Sequence, residues 1–394
     1  MVMQWARQQG FTWNEQTCAA AAKNGHLEML QFLRENGCPW NEETCAAAAC
    51  GGHLEIIKWA RENGCRWDES TCLLAAQNGH LELLQWLHDK GCPLERDICR
   101  YAAENGHLEV LKWARTLGCH WDEYTYLCAA KNNHVEILKW AHENGCPWNE
   151  LACQRAAENG HMEALQWLHE NGCPWSENTC AYAALCGQLE TLQWLHENGC
   201  PWNGTTCAGA ARCGHLEILK WAHENGCPWD ADTIMAGAAK GGHFEMLKWA
   251  HENGCPLDAD TIMAGAAKGG HFEMLKWAHE NGCPLDANTI MAGAAENGHL
   301  EMLKWALENG CPWDAEICAS AARKGHLEML KWARENGCPW NERTYRVACM
   351  YNQSEVIQWL RNNGCPGSRD EDGSRDEHED DEVIQSFFRS LRDN

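Results

Sequence analysis

The sequence lacks the features that mark membrane, secreted and nucleic-acid-binding proteins. No segment approaches the roughly 18 consecutive apolar residues that a membrane helix needs, and the opening MVMQWARQQG has no apolar stretch typical of a signal peptide. Basic residues are outnumbered, 32 against 56 acidic ones, which gives a formal net charge of −24. We therefore expect an intracellular protein, cytoplasmic or nuclear, that binds no membrane and no nucleic acid and has a basic protein partner.

Proline is missing from the segments that we predict to be helical, and closely spaced pairs of cysteines are missing from the whole sequence. Each of the 11 prolines directly follows a cysteine, so we expect them in loops and none inside a helix. No two of the 26 cysteines are separated by only two residues, which disfavours a zinc ribbon.

The cysteines instead recur in two sets. One set follows a turn glycine, from Cys38 to Cys365, and the other lies beside alanines, from Cys18 to Cys318. Equivalent atoms of stacked units lie about 8–10 Å apart, whereas a disulfide needs Cα atoms within about 7 Å. Members of one set therefore cannot pair with each other, and free cysteine beside alanine acts as a small buried hydrophobe. We expect reduced structural thiols and no cofactor or metal.

A short motif, Asn-Gly-His at residues 24–26, returns every 27 or 28 residues for most of the chain. A period in this range is the signature of a solenoid or propeller, in which each unit buries its apolar face only against its neighbours. We number the copies one to thirteen by the residue at the histidine position: His26, His53, His80, His107, His134, His161, Gln188, His215, His243, His271, His299, His326 and Gln353.

Each copy predicts a pair of helices joined by a glycine turn. In the second copy, Asn41 is a good helix N-cap and a first helix follows over residues 42 to about 49. Gly52 predicts a left-handed turn, a second helix with a one-sided apolar stripe runs over residues 53 to about 63, and Gly64 ends it. The equivalent cap position holds Asn, Asp or Ser in every other copy except the fourth, which has Glu95.

The segment TCAAAACGGHLEIIKWARENG resembles the ankyrin repeat, with its paired alanines, Gly-His, apolar helix and terminal Asn-Gly. The resemblance implies an all-α, ankyrin-like helical repeat solenoid of about 13 helix-turn-helix units, with first helices lining a concave binding face. The long β-hairpins of the family are absent, because CPWNE-type loops replace them. We expect a half-repeat over residues 1–13, with residues 1–9 as a lone second helix, then 13 repeats, so that the solenoid spans residues 1–366.

Residues 367–394 have a different composition. The stretch GSRDEDGSRDEHEDDE cannot bury a core, so we expect an acidic, disordered tail. The closing VIQSFFRSLRDN has apolar residues at helical spacing, which predicts a short docking helix, with a frayed terminus as the alternative.

Differences between the copies point to a candidate binding surface. Second helices are nearly interchangeable, whereas first helices and their flanks vary, most of all in copies four to eight. Tyrosine and arginine are the residues that most often carry interface energy. By resemblance, Tyr124, Lys131, Leu185 and Arg212 match the family's ligand-facing positions, and the alternative is surface residues that drift freely. The candidate partner-binding residues are Arg100, Tyr101, Tyr124, Tyr126, Lys131, Arg155, Tyr182, Leu185 and Arg212.

We therefore predict a non-enzymatic, monomeric scaffold for protein–protein interaction. The alternative is a regulatory adaptor, of the ubiquitin-ligase or host-interaction type, that recruits targets through the repeats. The histidine and tryptophan ladders could suggest metal binding or a stacking platform, but their spacing of one per copy favours core packing.

Overall fold

The computed structural model describes residues 12–368, and every regular element in that stretch is a helix. Each copy supplies one first helix and one second helix, which alternate along the chain. The first helices are Glu15–Lys23 (α1), Glu42–Cys50 (α3), Glu69–Gln77 (α5), Ile98–Glu104 (α7), Glu123–Lys131 (α9), Glu150–Glu158 (α11), Glu177–Leu185 (α13), Gly204–Cys213 (α15), Ala231–Gly241 (α17), Ala259–Gly269 (α19), Ala287–Asn297 (α21), Ala315–Lys324 (α23) and Glu342–Met350 (α25).

The second helices are nine residues long in every copy and begin directly after the histidine position. They are Leu27–Glu35 (α2), Leu54–Glu62 (α4), Leu81–Asp89 (α6), Leu108–Thr116 (α8), Val135–Glu143 (α10), Met162–Glu170 (α12), Leu189–Glu197 (α14), Leu216–Glu224 (α16), Phe244–Glu252 (α18), Phe272–Glu280 (α20), Leu300–Glu308 (α22), Leu327–Glu335 (α24) and Ser354–Asn362 (α26).

The chain divides into two compact units, Met1–Trp229 and Asp230–Asn394. Within each unit, every first helix packs against the first helices of the neighbouring copies and against its own second helix. The all-α repeat architecture is confirmed. The expected boundaries at residues 13 and 366 stay predictions. The predicted lone helix over residues 1–9 and almost all of the tail lie outside the described residues.

Local chemistry explains where the first helices start. Asn41 accepts a hydrogen bond from Glu43 N at 3.2 Å, and Asp68 accepts one from Ser70 N at 3.1 Å, as N-cap side chains do. Copy four lacks such a cap at Glu95, and its first helix begins later, at Ile98, after Asp97, which makes no side-chain cap bond. The cap exception seen in the sequence therefore shortens α7 to seven residues.

The core of each copy is built from small residues of the first helix and larger residues of the second. In copy two, Cys45, Ala48 and Ala49 are fully buried, and Ile57 and Ala60 of α4 are buried beside them. Alanine and cysteine leave little side chain between neighbouring first helices, so their backbones approach closely. This use of small residues explains why the core contains so much alanine.

The repeated histidine and glycine join one copy to the next. His107 Nε2 lies 2.9 Å from the backbone oxygen of Gln77, at the end of the preceding first helix. Because a carbonyl only accepts, the ring donates from Nε2. Gly79 has φ +73°, and its Cα lies so close to the His107 ring that an added Cβ would sit 2.5 Å from Nδ1. In copy thirteen, Gln353 makes the equivalent bond, from Nε2 to Arg323 O at 3.2 Å. The histidine ladder is structural.

The tryptophans also pack. Trp40 in a loop and Trp59 in α4 meet edge to face with ring centroids 5.6 Å apart, a favoured aromatic geometry. A basic residue near the end of the second helix covers the loop tryptophan that follows. The Arg61 guanidinium lies 4.1 Å from the Trp67 ring centroid, and in copy six the His169 ring stacks on Trp175 at 4.0 Å. Histidines of the WAHENG and WLHENG segments, such as His169, are thus partly held by stacking.

Candidate functional site: the first-helix face

One side of each first helix is less covered by the packing than the other, although some of its residues, such as Cys128 and Gln154, are buried. Residues three, six, seven and ten places before the histidine position form an i, i+3, i+4, i+7 set, which lies on one side of a helix. Residues four, five, eight and nine places before it point inward, as Ala49, Ala48, Cys45 and Thr44 do in copy two, where all four are fully buried. We call the outward set, taken over copies four to eight, the first-helix face.

Eight of the nine sequence-predicted residues belong to this face. Arg100, Tyr124, Lys131 and Arg212 are exposed, whereas Tyr101, Arg155, Tyr182 and Leu185 are half-buried. Tyr124 is 52% exposed, one of four large apolar or aromatic side chains in residues 12–368 that lie so open. The structure therefore brings most of the predicted residues to one side of α7, α9, α11, α13 and α15, and those helices pack side by side.

Tyr126 is the exception, and its prediction as a partner-binding residue is wrong. Its side chain is 1% exposed, its hydroxyl donates to Leu138 O at 3.1 Å, and its ring meets Trp148 with centroids 5.3 Å apart. Burial, with a smaller contribution from the neighbouring thiols of Cys173, Cys146 and Cys153, raises the pKa of the Tyr126 phenol well above its usual range. Tyr126 stands eight places before the histidine, where Cys99 and Cys153 stand in the flanking copies, so its position in the copy already indicated burial.

Contacts within the face prearrange some of its charges. The Arg100 guanidinium lies 6.0 Å from the ring centroid of Tyr124 in the next copy, and a hydrogen bond with the Cys128 thiol raises the pKa of Arg100. Arg155 forms an ion pair with Glu158 on the same helix. Lys131 makes no ion pair with any residue of the stretch 12–368, and its side chain is exposed. Lys131 is therefore a cation available to a ligand.

The sequence analysis searched the variable positions for tyrosine and charged residues, and it therefore missed two apolar residues of the face. Leu127 and Leu151 occupy face positions of copies five and six and are half-buried. They could have been found from the sequence by marking the outward positions first and only then asking which residues fill them. With Tyr101, Tyr124 and Leu185, they give the face an apolar and aromatic character.

The charge of the face differs from that of the whole chain. In copies four to eight it carries the cations Arg100, Lys131, Arg155 and Arg212 and the anions Asp97, Glu104 and Glu158. Much of the acidic excess lies elsewhere, for example in the sequence of residues 367–382, which holds nine acidic residues and two arginines. The face is therefore close to electrically neutral on a strongly acidic protein.

Catalytic and metal-binding arrangements receive no support from the geometry of the described part. No group of three or more histidine, cysteine or acidic side chains in residues 12–368 is placed to hold a metal ion. The repeated histidines are engaged with backbone carbonyls, as His107 is with Gln77. None of the helices in that stretch is long and apolar enough to cross a bilayer.

Comparison with known proteins gives one consistent result. The family model described as "Ankyrin repeats (3 copies)" matches residues 18–98 and 234–318, and that described as "Ankyrin repeats (many copies)" matches residues 126–169 and 153–196. Together they span more than half of the chain. The crystal structure of the human ASB11 ankyrin repeat domain is 20% identical, with a TM-score of 0.35 over 40% of this chain and 84% of that chain. No curated protein matches the sequence.

Proposed function

The chain belongs to the ankyrin-repeat family, and on that premise we propose that it is a non-enzymatic scaffold that binds a partner protein through its first-helix face. Ankyrin repeats are generally protein–protein interaction modules and are typically not enzymes. The proposal adds the place of binding, copies four to eight, to that general role.

One observation carries the proposal. In copies four to eight, the outward positions of the first helices carry tyrosine, arginine and leucine side chains, whereas the inward positions four and five places before the histidine hold buried alanine in each of these copies. If selection acted on packing alone, it would keep the buried positions alike and let the outward positions vary without preference for any type of residue. Here the outward positions acquire tyrosine, arginine and leucine, which are typical of interface anchors and of their surroundings.

The charges suggest how a partner would approach and what it would meet. The net charge of −24 attracts a basic protein at long range, in line with the expectation from composition. At contact, the nearly neutral face with Tyr101, Tyr124 and Tyr182 would select for apolar and aromatic groups rather than for charge. We propose a partner that is basic overall and presents an apolar segment to the face.

The test is affinity capture with a variant altered only on the face. Tyr101→Ala, Tyr124→Ala, Arg155→Ala and Tyr182→Ala, combined, remove three aromatic side chains and one guanidinium from four adjacent copies. We expect the combined variant to lose at least about tenfold in affinity for the captured partner, which is about 1.4 kcal/mol, because interface anchors dominate binding energy.

The matched control carries four substitutions on exposed second-helix residues of the same region: Glu109→Ala, Glu136→Ala, Glu163→Ala and Glu190→Ala. Both variants are first checked for unchanged helix content and unfolding temperature. Equal capture of the partner by the wild type and the face variant would rule out the proposed site, and so would an equal loss in the control.

A further inference from the structure

The two cysteine sets of the sequence meet each other in the structure. In copy twelve, Sγ of Cys318 in the first helix lies 3.3 Å from Sγ of Cys338, the loop cysteine that opens the next copy. The same spacing of 20 residues recurs in eight copies, and we call each such couple a helix–loop thiol pair. The eight pairs are Cys18 with Cys38, Cys45 with Cys65, Cys72 with Cys92, Cys99 with Cys119, Cys153 with Cys173, Cys180 with Cys200, Cys207 with Cys227, and Cys318 with Cys338.

The close contact is a property of the set rather than of one copy. The Cys99 thiol lies 3.9 Å from Cys119 O, the Cys153 thiol lies 4.0 Å from Cys173 O, and Cys45 and Cys65 belong to one buried core cluster. In all eight pairs the loop thiol, together with burial, raises the pKa of the helix thiol. All these cysteines are reduced, and all are buried apart from the half-buried Cys119. Burial and the fixed spacing therefore bring the helix and loop cysteines of each pair close together.

Within a pair, the two thiols are not equivalent. In copy two, the hydrogen bond from Cys45 lowers the pKa of Cys65, and the same bond raises the pKa of Cys45. Arg61 beside Cys65 lowers the pKa of the loop thiol further. A bond from the helix thiol lowers the pKa of the loop thiols Cys65, Cys92, Cys227 and Cys338 in the same way. In these pairs the loop cysteine forms a thiolate more readily, and thiolates are the nucleophiles of sulfur chemistry.

Five copies keep the loop cysteine but lack its mate. Tyrosine fills the helix position at Tyr126 and Tyr345, and methionine fills it at Met235, Met263 and Met291. Their loop cysteines, Cys146, Cys365, Cys255, Cys283 and Cys311, are buried like the others. The chain therefore carries its own controls, in which the loop thiol has the same surroundings but no partner thiol.

We propose that the helix–loop thiol pairs are sites of disulfide formation by peroxides, one cross-link per copy between the first helix and the loop that opens the next copy. A sulfur separation of 3.3 Å needs only a small movement to reach the 2.05 Å of a disulfide. Because the thiols are buried, the reaction requires local opening and is slow compared with that of an exposed thiol.

The chemistry balances with hydrogen peroxide as the oxidant. The loop thiol loses its proton and its thiolate attacks one peroxide oxygen, which breaks the O–O bond and gives a sulfenic acid and hydroxide. The helix thiol then attacks the sulfenic sulfur, the S–OH bond breaks, and that hydroxide leaves with the second thiol proton as water. The first proton neutralises the first hydroxide. Two thiols and one peroxide thus yield one disulfide and two waters.

The test maps disulfides in the full chain after oxidation. Reduced, folded protein is treated with hydrogen peroxide, quenched, alkylated and digested, and the cross-linked peptides are identified by mass spectrometry. We expect links within the eight pairs, and the five loop cysteines without a partner thiol should be alkylated and unlinked: Cys146, Cys255, Cys283, Cys311 and Cys365. Protein oxidised in guanidinium serves as the reference and should show scrambled links.

Two variants make the outcome decisive. Cys45→Ser should abolish the copy-two link and leave Cys65 alkylated, and Met263→Cys should create a new link to Cys283 in a copy that has none. Links between cysteines of different pairs, failure of Met263→Cys to cross-link, or pairs that stay reduced while the exposed Cys186 oxidises would each overturn the proposal. The result is independent of whether the first-helix face binds a partner.

Discussion

At the scale of single residues, the Gly-His motif that recurs in most copies has a tightly constrained geometry, in both its backbone conformation and its contacts. The turn glycines of the first unit take a left-handed backbone conformation. In copy five Asn133 replaces the glycine and is also left-handed, with φ +59°. Most of these glycines also lie against the ring of the next histidine. Sequence comparison predicted the left-handed turn, because glycine tolerates it best. It could not predict the ring contact, because that contact joins two copies and depends on how they stack.

The two roles of glycine can be separated experimentally. Gly79→Ala introduces a Cβ 2.5 Å from His107 Nδ1 at φ +73°, whereas Gly91→Ala introduces one at φ +80° with nothing within 4 Å. We expect Gly91→Ala to cost about 1–2 kcal/mol of unfolding free energy from backbone strain alone. Gly79→Ala should cost at least about 1 kcal/mol more, because His107 must move. Urea unfolding of both variants measures the difference, and equal losses would show that the histidine ring contributes nothing.

At the scale of the helix, the sequence predicted where the helices lie but not that Tyr126 faces the core. The first helix of copy two was expected to end near residue 49 and ends at Cys50, and the second begins at Leu54 because His53 is its N-cap. The misplacement of Tyr126 has a simple cause. Variation between copies was taken as a sign of exposure. On a helix, however, an exposed and a buried residue can lie only two places apart, as Tyr124 and Tyr126 do.

Tyr124 and Tyr126 in α9 therefore form a matched pair for mutation. Tyr126→Ala should lower the unfolding free energy by about 3–5 kcal/mol, since it leaves a cavity in the core and removes the bond to Leu138 O. Tyr124→Ala should change it by no more than about 0.5 kcal/mol while weakening partner capture. Thermal unfolding and capture assays on the two variants distinguish these outcomes. A stable Tyr126→Ala variant that fails to bind would restore Tyr126 as a contact residue.

At the scale of the whole molecule, the sequence predicted that the cysteines beside alanine are buried, as they are, but not that they lie against the loop cysteines. Only cysteines at the same position of different copies were compared, and the expected stacking distance of about 8–10 Å argued against disulfides between them. The contact between the two sets arises because the loop after a second helix returns to the first helix of its own copy. This packing of the loop against the first helix is a feature of tertiary structure, so no local pattern in the sequence predicts it.

The many buried thiols predict a loss of stability at alkaline pH. Burial raises the pKa of Cys99 and of Cys146 from 9.0 to about 12. Below pH 9 both thiols are neutral in the folded and unfolded chain, so their contribution is fully present. Between pH 9 and 12 the unfolded chain releases protons that the folded chain retains, so the unfolding free energy falls, by at most about 1.4 kcal/mol per pH unit for each thiol.

Chemical unfolding in the presence of a reducing agent, at pH 8, 9, 10 and 11, measures that slope. The double variant Cys99→Ala, Cys146→Ala should start lower at pH 8 because of its cavities but decline less steeply than the wild type. Parallel curves for the two proteins would contradict the assignment of the effect to these thiols.

The contacts that join neighbouring copies span fixed numbers of residues. The Cys65 thiol reaches Asn41 O at 3.2 Å across 24 residues, and His53 Nε2 reaches Lys23 O at 3.1 Å across 30. Gain or loss of one whole copy therefore rejoins the same atoms and leaves no defective junction. Copies nine and ten differ only at Trp229 and Leu257, as unequal recombination between genes would leave them. Such an array can change its length within a lineage without a new core, while the copies that carry distinct side chains stay unaltered.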